Sequence, residues 1–120
     1  MLYGNLTLLT DKALHYLYNN EAHILGGVET HKELHRLTKQ SKFLSHCFDA
    51  SYAPAEPSQV SEKGNYGGAL VAVKNHLNST PLHGDTWNKT LRAHVTDHHY
   101  MVGRNVPFRG TDLLIILNYF

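Results

Sequence analysis

Short apolar runs separated by polar linkers dominate the first part of the chain. The runs Leu2 to Leu9 and His23 to Glu29 are too short for helices, and we expect a buried strand at each. Residues 11–20 predict a helix, because four apolar residues share one helical face: Ala13, Leu14, Leu17 and Tyr18. Strand, helix and strand within about 30 residues predict a right-handed crossover unit with parallel strands.

A second helix is predicted to begin directly after Glu29. The segment Thr30-His31-Lys32-Glu33 fits a capping box, in which Thr30 accepts from the amide of Glu33 and Glu33 reaches back. Three leucines then follow at helical spacing: Leu34, Leu37 and Leu44. Glu29 therefore lies where a buried strand passes into a helix.

The rest of the chain predicts strands and turns. We expect strands at Cys47–Ala53, Ala69–Lys74 and Leu91–Val95, and a terminal hairpin whose strands are His99–Phe108 and Leu113–Phe120, with a turn at 109–112. Residues 54–65 and 75–89 are rich in polar residues and contain Pro or Gly, and they are predicted to be irregular. The pattern predicts one α/β domain over residues 1–120, with a mixed β-sheet flanked by helices.

Composition narrows the class of protein. With 42% hydrophobic and 18% charged residues, the chain resembles a globular protein, and no apolar run approaches the roughly 20 residues of a membrane helix. The N-terminus lacks signal-peptide features and Cys47 is the single cysteine, so we expect an intracellular protein, with nucleus and cytoplasm both open. A net charge of +1 argues against binding nucleic acid by charge alone.

Glu29 is the first candidate for chemistry. Open α/β sheets bind ligands beyond the carboxyl ends of their strands, and Mg²⁺ needs only one or two protein carboxylates. A bound cation there could polarise a phosphoryl oxygen, and the Asn5 side chain on the preceding strand could orient it. A helix-capping or solvent-facing glutamate would leave the same pattern.

Two other residue types raise alternatives. The chain has ten histidines, but it lacks an H-E-x-x-H motif and a paired C-x-x-C, so we expect scattered, solvated histidines and no zinc site. Trp87 could stack on a base, although core packing is the usual place for tryptophan.

Four landmarks occur in order along the chain. They are an Asn-bearing strand at residues 3–7, an apolar strand ending in Val28-Glu29-Thr30, the glycine pair in Tyr66-Gly67-Gly68 opening a further strand, and a strand ending in Tyr119. In this order they resemble the N-terminal half of the endonuclease/exonuclease/phosphatase (DNase I-like) superfamily, in its retroelement-type endonuclease form. Val28 stands where that family usually has Gln.

The resemblance implies a fold and an activity. The fold would be about half of a four-layer sandwich of two mixed sheets covered by helices. The activity would be metal-dependent hydrolysis of nucleic acid or another phosphodiester, with Glu29 binding Mg²⁺ or Mn²⁺, Asn5 supporting the metal, and Tyr119 near the phosphate. His31 and Arg104 are candidate substrate contacts.

The sequence departs from the family in its later motifs. The Asp-x-Asn pair and the terminal Ser-Asp-His do not occur after the Tyr119 strand, so we expect an incomplete domain that is weakly active or inactive alone. Two other classes remain open. One is a non-catalytic binding protein that associates with itself through an exposed sheet face, and the other is an unrelated α/β domain.

Overall fold

The computed structural model describes residues 2–5, 23–28, 44–57, 65–66, 68–82, 85–96 and 101–118. Within these residues the secondary structure is strand, apart from one 3-10 turn at Asn75–Leu77 and the helical residue Leu44. The strands are β1 (Leu2–Asn5), β2 (Ile24–Val28), β3 (Phe48–Ala53), β4 (Glu56–Pro57), β5 (Asn65–Tyr66), β6 (Ala69–Lys74), β7 (Thr80–Pro81), β8 (Thr86–Asn88), β9 (Ala93–Val95), β10 (Met101–Phe108) and β11 (Thr111–Asn118).

Two sheets pack on each other to form the body of the described structure. The large sheet has six strands in the order β1-β2-β6-β3-β9-β8, and the small sheet has three in the order β11-β10-β7. The large sheet is mixed, since β1 pairs parallel with β2 and β3 pairs parallel with β9, while its other pairs are antiparallel. Strands β4 and β5 form a separate short hairpin.

The mixed sheet is confirmed, and so is the predicted parallel pairing of the first two apolar runs. The flanking helices are not supported, because the described part of the chain is almost entirely strand. The predicted helix at 11–20 lies outside the described residues, as does all of the predicted second helix except Leu44.

Two segments predicted to be irregular contain short strands, so those predictions are wrong. Residues 54–65 include β4 and the start of β5, and residues 75–89 include β7 and β8. Strands of two or three residues are too short to show alternation, and they form because pairing with another strand fixes their register. Pro81 of β7 lies opposite Arg104, and Trp87 of β8 lies opposite His94.

Strand β6 lies at the centre of the core because both of its faces are covered. Val71 and Val73 face the small sheet and pack with Val102, Val106 and Leu117. The opposite face of the large sheet carries a second cluster, formed by Leu25, Leu44, Phe48, Ala50, Tyr52, Leu70, Ala72, Leu91 and Ala93. Burial on both faces explains why β6 is a continuous apolar run instead of an alternating one.

No helix within the described residues is long and apolar enough to cross a membrane.

The small sheet requires a glycine at position 103. A Cβ atom added to Gly103 would lie 2.6 Å from the Ile115 carbonyl oxygen and 2.7 Å from Leu82 Cδ1. The Ile115 oxygen belongs to the paired backbone of β11, so it cannot move without disturbing the β10–β11 ladder.

We expect Gly103→Ala to lower the free energy of unfolding by about 1–3 kcal/mol, the usual cost of overpacking. Urea denaturation followed by circular dichroism measures this. Gly110→Asn is the control, because Gly110 has a φ of +80° but no atom within 4 Å of an added Cβ, and Asn tolerates that backbone region. A Gly103→Ala variant as stable as the parent would contradict the packing described here.

Candidate functional site

The carboxyl ends of β1 and β2 meet at one end of the large sheet. Asn5 lies opposite Val28 in the parallel ladder, Val28 lies opposite Ala69, and Ala69 lies opposite Ala53. We call this row of four residues the Asn5 edge. Glu29 is the next residue in sequence after Val28 and lies outside the described residues.

The glycine landmark borders the Asn5 edge. Gly68 directly precedes β6 and has a φ of +90°, a left-handed backbone conformation that glycine adopts without steric cost. The prediction that the glycine pair opens a strand is confirmed at Gly68 and Ala69. Gly67 lies outside the described residues.

The predicted site residues are unevenly described. Asn5 is the last residue of β1, whereas Glu29, His31 and Tyr119 lie outside the described residues. Within the described ranges, no group of three or more His, Cys, Asp or Glu side chains is placed to hold a metal ion. The metal site and the roles of these residues therefore stay predictions.

Arg104 lies on β10 and points into the sandwich, where it is only 2% exposed. Its guanidinium donates to three oxygens on two other segments: Nε to Ser79 Oγ at 2.8 Å, Nη1 to Ser51 Oγ at 3.0 Å, and Nη2 to the Ser79 carbonyl at 3.1 Å. The bond to Ser51 joins the two sheets, because Ser51 lies on β3 of the large sheet. The two bonds to Ser79 stay within the small sheet, since Ser79 directly precedes β7.

Ser51 shows where this guanidinium sits relative to the Asn5 edge. Ser51 and Gly26 both lie opposite Val71, two residues further into the sheet than Ala53 and Val28. Arg104 is thus held inside the sandwich by its hydrogen bonds. A contact between substrate and the remaining N–H groups of this guanidinium stays a prediction.

Burial sets the electrostatics of Arg104. Loss of solvent lowers the pKa of the guanidinium, while the carboxylates of Asp49 and Asp85 act in the opposite direction. Arginine stays charged in proteins, so the sandwich contains a buried positive charge that three neutral oxygens solvate.

His94 belongs to the same polar region. In the ladder it lies between Ser51 of β3 and Trp87 of β8. The centroids of the His94 and Trp87 rings are 5.2 Å apart, and the two rings pack edge to face. Burial lowers the pKa of His94 and the positive charge of Arg104 lowers it further, while Asp85 and Asp49 oppose both effects. The neutral imidazole is therefore favoured near neutral pH.

Sequence reasoning missed this polar region. Trp87 was expected in the core, but it is 56% exposed, so that prediction is wrong. Only the strand register brings Ser51 to His94, which is far from it in sequence, and places Trp87 opposite His94 across the turn between β8 and β9. The polar residues of segment 75–89 gave no local signal of a shared face.

No protein-family model, no curated protein and no solved structure matches this chain.

We expect Ser51→Ala to lower the free energy of unfolding by about 1–3 kcal/mol, because it leaves a buried charged donor without its acceptor. In an Arg104→Met background the same change should cost much less. Urea denaturation of the parent, the two single variants and the double variant gives the coupling free energy between Ser51 and Arg104. Thr86→Ala is the control, since its exposed hydroxyl donates to the Val95 carbonyl. Equal costs of Ser51→Ala in both backgrounds would show that the bond is not energetically coupled.

His94 should make stability depend on pH. Its pKa is lowered on folding from 6.5, so below pH 6.5 the unfolded chain binds a proton that the folded chain accepts only at lower pH. The unfolded state then holds more protons, and the free energy of unfolding falls as pH drops from 6.5 through the folded pKa.

Urea denaturation at about pH 5 and about pH 7.5 measures this dependence. We expect His94→Gln to lose less stability on acidification than the parent. Asn75→Gln, at an exposed position without a titratable group, should behave as the parent does. If His94→Gln and the parent respond equally to acid, the buried environment of His94 is not the cause.

Proposed function

We propose that this chain is a divalent-metal-dependent phosphodiesterase of the endonuclease/exonuclease/phosphatase class, with nucleic acid as its substrate. One observation carries the proposal. The parallel ladder puts Asn5 opposite Val28 at the carboxyl ends of β1 and β2, and Glu29 is the next residue of the chain.

Adjacent strands lie roughly 4.8 Å apart, so side chains from two neighbouring strand ends can reach one small cation. One carboxylate oxygen and one amide oxygen are hard donors, and they fit Mg²⁺ or Mn²⁺, with water completing the coordination. When bound, the cation would polarise a phosphoryl oxygen and offset charge on the leaving oxygen.

Two further features support the same proposal. The large sheet is mixed and packs face to face on a second sheet, as a sandwich fold requires. Gly68 directly precedes β6, and the first residue of β6, Ala69, lies opposite Val28. A residue without a side chain therefore borders the Asn5 edge. In the proposed site, Tyr119 and His31 contact the phosphate.

A second candidate function rests on the terminal hairpin. Strand β11 is an edge of the small sheet, and four large apolar side chains of the hairpin are 44–56% exposed: Phe108, Leu113, Leu114 and Ile116. An open apolar edge strand is a template for pairing with another chain. It favours a non-catalytic binding protein that associates with itself through this surface.

A metal titration separates the two candidates. We expect about 10 mM Mg²⁺ to raise the free energy of unfolding by about 1.4 kcal/mol if the dissociation constant is about 1 mM. Glu29→Gln should abolish the increase, and Asn5→Ala should reduce it. Thermal and urea denaturation with and without the metal measure the effect, and Mn²⁺ binding followed by electron paramagnetic resonance gives the affinity directly.

Glu62→Gln is the matched control, because it removes one carboxylate elsewhere in the sequence. Equal responses of the parent and Glu29→Gln to Mg²⁺ would overturn the metal proposal. If the chain then also sediments as a dimer, the interaction protein is the better description.

A further inference from the structure

A recess lies at the side of the sandwich that the small sheet leaves uncovered. Strand β10 packs on β6 and β3, and β11 packs on β6 and β2, so the inward faces of β9 and β8 extend past both strands. The recess opens there, with Asp49, Trp87, Arg92, His94 and Arg104 among its lining residues.

This recess is separate from the Asn5 edge. Asp49 lies opposite Val73, as Ile24 does, whereas Ala53 and Val28 both lie opposite Ala69. Asp49 is thus four residues along β3 from Ala53, a distance of roughly 13 Å. A ligand in the recess would not share the site proposed for Glu29.

The buried guanidinium at the base of the recess favours an anion. Arg104 is 2% exposed, and the three hydrogen bonds given above go to neutral serine oxygens. Guanidinium has five N–H groups, so two remain for a ligand as far as the described residues show. The hydrogen-bond acceptors of this guanidinium are neutral, and the carboxylates of Asp49 and Asp85 act on its charge without accepting its N–H groups. A phosphate oxygen would accept the remaining donors in a charge-assisted hydrogen bond.

A second guanidinium stands at the mouth of the recess. Arg92 is exposed, and it lies in the turn between β8 and β9 with a φ of +53°. The turn is held by a hydrogen bond from the Leu91 amide to Asn88 Oδ1 at 2.9 Å. The lining thus has two guanidinium groups and the carboxylate of Asp49. Asp85 also acts on Arg104, but it is not a lining residue.

Trp87 adds a flat apolar surface beside these charges. It is 56% exposed although its ring edge rests on His94, so a large part of the indole is open to solvent. Exposed aromatic rings next to basic groups stack on bases in proteins that bind single-stranded nucleic acid. The cavity volume of about 110 Å³ has room for a phosphate group.

We propose that this recess binds the phosphate of a nucleotide, with Arg104 and Arg92 contacting the phosphate and the base stacking on Trp87. The nucleotide is either free or the phosphorylated end of a strand, since both carry the same chemical group. This inference goes beyond the metal site and does not depend on it.

The single tryptophan of the chain provides the measurement, because any change in intrinsic tryptophan fluorescence comes from Trp87. The folded chain is titrated in EDTA with adenosine monophosphate, adenosine and inorganic phosphate. We expect saturable quenching by adenosine monophosphate, at concentrations well below those at which adenosine or phosphate alone has an effect. No saturable quenching, or equal affinity for adenosine and its monophosphate, would overturn the proposal.

Arg92→Gln tests the phosphate contact without touching the buried network. It should weaken the binding of adenosine monophosphate by about tenfold, the loss expected for one charged hydrogen bond, and leave adenosine unchanged. Arg109→Gln is the control, because Arg109 is also exposed and has a left-handed backbone, but it stacks on Phe108 in the hairpin turn. Equal affinities of Arg92→Gln and the parent would overturn the assignment.

A short oligonucleotide distinguishes the two sources of the phosphate. Binding that requires a terminal phosphate identifies a strand end, and binding of adenosine monophosphate without any binding of the oligonucleotide identifies a free nucleotide. Equal binding of phosphorylated and unphosphorylated oligonucleotides would show that the recess does not recognise the terminal phosphate. Because EDTA is present throughout, failure of the metal proposal leaves these outcomes unaffected.

Discussion

The packing of the small sheet on β6 is the contact on which the described structure depends. Val71 and Val73 are fully buried against Val102, Val106 and Leu117, and the same strand buries Leu70 and Ala72 on its other face. Burying one such side chain contributes about 1.5–3 kcal/mol. Because β6 also pairs with both β2 and β3, its position fixes the strand ends at which Asn5 and Val28 meet.

The two sheets are joined by a polar contact as well as by apolar packing. Arg104 crosses from the small sheet to Ser51 of the large one, and its charge is solvated by serine oxygens in place of water. Burial of such a charge is costly, so replacing it with an apolar side chain of similar size is often neutral or stabilising. Ligand binding therefore explains a buried arginine that lines a recess better than a contribution to stability does.

The two proposed sites therefore lie at different ends of one sheet. The Asn5 edge is defined by strand ends and small residues, which is the arrangement that a cation with its own water shell needs. The recess is defined by side chains from β3, β8, β9 and β10, and its charge suits an anion. The first was proposed from sequence order, because a strand ending in Glu leaves a local pattern. The second leaves none, because its residues come together only through pairing.

The sequence by itself determined the longer strands. The runs at β2, β3 and β6 and the hairpin of β10 and β11 were predicted within a few residues, because each presents an apolar run or a glycine-containing turn that local physics can recognise. The turn is tighter than expected, since β11 begins at Thr111 instead of Leu113. Helices were predicted on the same grounds, and the described part of the chain gives them no support.

Only the tertiary structure decided which faces meet. The bonds of Arg104 span 53 residues to Ser51 and 25 to Ser79, and Trp87 reaches His94 only through the register of β8 with β9. Short strands such as β7 and β8 have no pattern of their own and take their conformation from a partner. Pairing over such separations depends on the register of whole sheets, which no local stretch of sequence specifies.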